Sequence, residues 1–125
     1  MNLAELGVLA AAGGLGAGVR YLVDAAVMRG RSDAFPLGIL LVNVIGSLVL
    51  GVIVGAGASF APVWGMVVGV GLLGGFTTFS TVSVDSALMA QRGRRDWAVV
   101  NLIATLGTAV VAAAIGMVIG GLLPR

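Results

Sequence analysis

Three stretches of this chain hold no ionisable side chain: Phe35 to Ala61 over 27 positions, Val63 to Val84 over 22, and Trp97 to Pro124 over 28. At 1.5 Å of rise per residue even the shortest reaches roughly 33 Å as a helix, enough to cross a hydrocarbon core of roughly 30 Å. An earlier run, Leu6 to Met28, is apolar except for Arg20, Tyr21 and Asp24. The charges between the runs mark turns, so the chain reads as four transmembrane helices at about 3–28, 36–58, 63–89 and 96–122. Only 10% of the 125 residues are charged, against about 25% in a soluble domain. The fold class is therefore all-α integral membrane. Connections are short, which makes residues 1–125 one domain. A cleaved leader fits poorly, because Met1 to Glu5 contain no basic residue.

Composition removes whole classes of chemistry. There is no lysine, histidine or cysteine, hence no disulfide framework, no thiolate or imidazole metal site, and no histidine acid–base scheme. The carboxylates are Glu5, Asp24, Asp33, Asp85 and Asp96. An intramembrane hydrolase fails for want of a base beside Ser80 or Ser83. A proton-coupled exporter would want an acid inside the membrane, and the second to fourth spans offer none before Asp85. A purely structural assembly protein gives no reason for a hydroxyl-rich stretch at bilayer depth.

Arginines orient the chain. The loop at 29–36 and the loop at 91–96 fall on one side and carry Arg29, Arg31, Arg92, Arg94 and Arg95; the other side has Arg125. Positive charge collects in the cytoplasm, which puts these two loops inside and both termini outside.

Lipid gives helices no hydrophobic reason to associate, so contact faces should be small or hydrogen-bonding. Such faces are spelled by Gly7, Ala11, Gly14 and Gly18 in the first span, and by Asn43, Ser47, Gly51, Gly55 and Ser59 in the second. The third has Gly65, Gly69, Gly71, Gly74 and Gly75, and the fourth Asn101, Thr105, Thr108 and Ala112. Close packing accounts for the glycines. Asn43 and Asn101 have two equal readings, interhelical glue or a polar path.

The stretch Gly74-Gly75-Phe76-Thr77-Thr78-Phe79-Ser80-Thr81-Val82-Ser83 lies in the middle of the third span. Each glycine costs about 1 kcal/mol in a helix relative to alanine, and the hydroxyl residues that follow compete for backbone hydrogen bonds. The expectation is a broken helix, whose freed carbonyls are tolerable at that depth only in buried protein, a cavity or an ion site. The alternative is an unbroken helix with hydroxyls bonded back to its own carbonyls.

Gly-Gly-Phe-Thr-Thr-Phe-Ser-Thr resembles the third-helix signature of the Fluc (CrcB-type) fluoride channels. Gly18-Val19-Arg20-Tyr21 is similar to the family's first-helix end, and Pro36-Leu37-Gly38 with Asn43 to Ser47 to its second-helix pattern. The resemblance runs the length of the chain. It implies a fluoride-specific channel in a prokaryotic cell membrane, built as an antiparallel dimer that exports fluoride passively and lowers its toxicity. It also implies a structural sodium ion at the dimer centre, held by the carbonyls of Gly74 and Thr77. Asn43 would line the fluoride pore, Phe79 would turn a ring edge to the ion, and Arg20 would sit in the vestibule. Ser80, Thr81, Thr105 and Asn101 would be polar groups along the path. Neutral amide and hydroxyl donors suit an anion that clings to water yet must leave again, and an aromatic edge carries partial positive charge.

One position departs from the family pattern. Its second aromatic, three residues after the first, is Val82 here. Either the ring is dispensable, or this chain is half of a heterodimer with an oppositely oriented paralogue. The five-to-one arginine bias favours the heterodimer. Elsewhere, Arg20 and Asp24 have the i, i+4 spacing of a helix-surface ion pair, Asp85 ends its span or pairs with an arginine, and Trp64 and Trp97 read as interfacial anchors.

Overall fold

The computed structural model describes residues 1–31, 35–57 and 62–123. Four of its helical stretches are long and apolar enough to span a membrane. These are α1 (Leu3–Met28), α2 (Leu37–Ala56), the composite span Pro62–Gln91, and α6 (Arg95–Gly121). The composite span begins as α3 (Pro62–Gly65), widens into a π-helix over Met66–Leu73, tightens to α4 (Gly74–Phe76) and resumes as α5 (Phe79–Gln91). Asp33, Ser59 and Arg125, used above for charge and packing, lie outside the described residues, as does most of the second loop.

Local chemistry sets the ends. Asn2 and Glu5 form a capping box on α1, Asn2 N–H donating to Glu5 Oε2 and Glu5 N–H to Asn2 Oδ1, both at 2.8 Å. Gly30 and Gly93 follow α1 and α5 with φ of 76° and 78°, a left-handed turn that costs glycine little.

Packing is built on backbone approach. A methyl on Gly51 would run into the carbonyl of Ala113, and one on Gly55 into that of Met117; from the other side, Gly116 meets Leu48 and Gly120 meets Val52. These four glycines let α2 and α6 lie backbone to backbone. The first span makes its approach with a different face from the one expected. Gly7, Gly14 and Gly18 have nothing beside them within the protomer, whereas Gly16 abuts the Leu72 carbonyl and Gly75 that of Gly13. Small residues crowd both faces of α1, so spacing alone could not say which face meets the third span. Between the layers, Val42, Leu73 and Phe76 form the apolar centre, flanked by Val23 and Ile53.

Candidate functional site

The third span leaves helical geometry at two residues. Thr77 has φ −77° and ψ 152°, and Thr78 has φ −154° and ψ 123°, both extended. The chain turns out of α4 with the Thr77 N–H and Oγ1 each donating to the Leu73 carbonyl at 2.9 Å. It enters α5 with Thr78 as N-cap, its Oγ1 accepting from the Thr81 N–H at 3.2 Å.

Asn43 supplies what the extended residues lack. Its Nδ2 donates to the Thr78 carbonyl at 2.9 Å, and the Thr78 N–H donates to its Oδ1 at 2.8 Å. Asn43 is 6% exposed, so little solvent reaches either bond within the protomer. Gly46, one turn along α2, leaves room for the Thr77 methyl and the Phe76 ring.

These bonds redirect two donors. In a continuous α-helix the Thr78 N–H would serve the Gly74 carbonyl and the Thr81 N–H that of Thr77. The first goes instead to Asn43 and the second to the Thr78 hydroxyl. Gly74 is exposed with nothing near its missing Cβ. No backbone bond from Phe79 or Ser80 reaches Gly75 or Phe76 either, so four consecutive peptide oxygens, Gly74 to Thr77, lose their helical partners, and of these residues Gly74 lies on an uncovered face of the protomer. The donor set available there is oxygen alone, suited to a hard cation such as sodium or calcium and unsuited to a soft metal.

A short polar line leads away from the same place. Thr78 and Thr81 hydroxyls lie 3.2 Å apart, and Arg20 Nη1 donates to Thr81 Oγ1 at 3.4 Å. Arg20 Nε is buried without a partner. The Arg20–Asp24 ion pair is not formed; among the described residues the ion pairs are the Met1 amino group with Glu5 and Arg94 with Asp96. The Asp24 carboxylate lies instead over Gly38, where α1 crosses α2. Arginine preceding the acid is the weaker order for such a pair. Asp85 likewise closes no ion pair; it lines a cavity of about 280 Å³ with Asp24 and Arg92.

The remaining residues divide. Phe79 is 62% exposed, and Ser80 is exposed beside it. Three residues on, Val82 is wholly buried. Its carbonyl accepts from Asn101 Nδ2 at 3.4 Å, and the same amide donates to Ser86 Oγ at 3.0 Å. Asn101 is thus the bond between α5 and α6, apart from the Asn43–Thr78 cluster. Thr105 is buried, 4% exposed, with a partnerless hydroxyl. Thr78 and Ser86 were missed as individual residues. An N-cap hydroxyl at a helix restart was a signal available for Thr78; Ser86, an ordinary serine at a span end, gave none.

A family model described as CrcB-like protein, Camphor Resistance (CrcB), matches residues 7–117. A Leifsonia xyli protein named Fluoride-specific ion channel FluC 1 is 39% identical over 117 residues, covering 91% of this chain and 85% of that protein. One of the same name from Rubrobacter xylanophilus is 40% identical and covers 93% of each. A Nitrobacter hamburgensis protein, Fluoride-specific ion channel FluC 2, is 44% identical over 102 residues, 79% of this chain and 82% of its own length. With its family model matched over nearly its whole length and relatives this similar, the chain belongs to the CrcB family of membrane proteins.

Proposed function

We propose that this protein conducts fluoride passively across the cell membrane and lowers fluoride toxicity in the cytoplasm, as the names of its relatives suggest. The observation that carries the reading is the diversion of the Thr78 and Thr81 N–H groups to Asn43 Oδ1 and Thr78 Oγ1. It makes the extended pair a stable break in the third span, with uncharged donors grouped around it. Asn43, Thr81 and Ser80 offer amide and hydroxyl donors, Phe79 a ring edge, and Arg20 a cationic vestibule. Thr105 adds a buried hydroxyl with no internal claim on it. Such donors can replace part of the ion's hydration without trapping it. Asn101 serves the path less directly, since its amide already binds Ser86 and Val82.

The carbonyls of Gly74 and Thr77 are suited to hold a structural sodium ion, whose positive charge would tie two protomers together without being transported. In this reading the exposed Gly74 and Phe79 are covered by a second protomer running antiparallel. The five arginines favour an orientation with the first and third loops in the cytoplasm; an antiparallel partner is then an oppositely oriented paralogue or, against that bias, a copy inserted the other way. Val82, buried against α6, contributes no ring; an aromatic edge at that point would come from the partner.

A cell lacking the protein should be hypersensitive to fluoride, and the intact chain, with its paralogue if one exists, should restore growth. Equal fluoride tolerance with and without the protein, in cells lacking any other fluoride exporter, would sink the assignment.

A further inference from the structure

The end of the bundle where α1 and α5 run into their loops carries Arg29, Arg31, Arg92, Arg94 and Arg95, all exposed. They form one rim. Phe35 and Trp97 pack with their rings tilted at 49° and centroids 5.7 Å apart, tying the first loop to the start of α6. The cavity lined by Met28, Pro36, Met89 and Arg92 joins the same loops from the other side. Two of the arginines have partners or countercharges nearby. Arg94 lies 5.1 Å over the Trp97 ring, with Nε 3.8 Å from Asp96, and Arg92 shares its cavity with Asp24 and Asp85. Arg29, Arg31 and Arg95 make no ion pair among the described residues.

Three guanidiniums without an ion pair among the described residues thus share this end of the bundle with an aromatic pair, and Trp97 is the kind of ring that settles where headgroup meets hydrocarbon. Below them on α6, Val99, Val100 and Ile103 are exposed apolar side chains that form a wall for acyl chains. A guanidinium presents a planar fork of donors matched to phosphate oxygens. A phosphate delivered here on its own acyl chains satisfies charge, depth and apolar wall at once, which a free anion does not.

We propose that this rim binds the headgroups of anionic phospholipids, Arg29, Arg31 and Arg95 contacting the phosphodiester while the Phe35–Trp97 pair sets the depth. The inference does not depend on what the channel conducts.

The chain's two tryptophans, Trp64 and Trp97, begin the third and fourth spans at opposite ends of the bundle, which makes each a local reporter. Trp64→Phe protein would be reconstituted in phosphatidylcholine doped with phosphatidylglycerol brominated near the headgroup end of its acyl chains. That lipid should quench Trp97 several-fold more than brominated phosphatidylcholine at the same mole fraction. The excess should vanish in R29Q/R31Q/R95Q, persist in R29K/R31K/R95K, and fall at 1 M salt, where screening acts within about 3 Å. Equal quenching by the two lipids would overturn the proposal. Loss of the excess on adding inorganic phosphate at constant ionic strength would identify a free-anion site and overturn it too. The salt and lysine arms decide the matter even where the glutamine variant fails to fold.

Discussion

Asn43 on α2 and Thr78 in the third span are locked together by two reciprocal hydrogen bonds, 2.9 Å from amide nitrogen to carbonyl and 2.8 Å from peptide nitrogen to amide oxygen. A side chain here stands in for helix. It lets two residues adopt extended geometry at a depth where unsatisfied peptide groups each cost several kcal/mol.

Asn43→Ala should accordingly act on stability as well as on transport. Two backbone groups of Thr78 lose their partners, at about 1–3 kcal/mol each. Thermal unfolding in detergent should show a clear drop, and fluoride efflux from vesicles should fall at least tenfold. Unchanged stability would mean that the two bonds are not what holds Thr78 extended.

Neighbouring glycines of α1 should behave in opposite ways. Gly16→Ala forces a methyl against the Leu72 carbonyl, backbone that cannot step aside, and should cost about 1–3 kcal/mol. Gly14→Ala meets open space and should leave protomer stability unchanged or raise it by up to about 1 kcal/mol. Differential scanning measurements on the pair would show whether α1 approaches the third span by the face described.

The spans were legible because a charge-free run of more than twenty residues has few other solutions. The glycine pattern was half legible. On α2 the four-residue spacing picked out Gly51 and Gly55, which do meet α6, but on α1 it selected Gly14 and Gly18 over Gly16. Periodicity names a face without naming its neighbour, and a helix small on two sides leaves the choice to tertiary packing. In the candidate site, the Gly74 to Ser83 stretch was conspicuous because its composition opposes a helix. The link from Asn43 to Thr78 was invisible, since 35 residues separate them and nothing local to either names the other. The Arg20–Asp24 pairing was misread for a related reason: the Asp24 carboxylate lies over Gly38, on another helix.

Thr105 separates transport from folding. Its buried hydroxyl has no partner, so Thr105→Val removes an unsatisfied group and should leave stability unchanged or raise it by about 1 kcal/mol. Fluoride efflux should nonetheless fall several-fold if that hydroxyl serves the ion. A variant equally stable and equally active would remove Thr105 from the path.

Sodium can be tested by replacement. With N-methyl-D-glucamine as the sole cation during purification, the site proposed at the Gly74 and Thr77 carbonyls would hold no ion. Fluoride flux should drop and dimers should dissociate at lower dilution, with recovery on adding sodium. Lithium or potassium restoring both equally well would mark the site as unselective.

Efflux from vesicles loaded with potassium fluoride, read by a fluoride electrode after valinomycin is added, tests the conduction itself. The chain, alone or co-purified with an oppositely oriented paralogue, should release fluoride rapidly and electrogenically while chloride stays inside. Failure to release fluoride in either form, or chloride leaving as fast, would contradict a pore lined by the neutral donors around the Asn43–Thr78 pair.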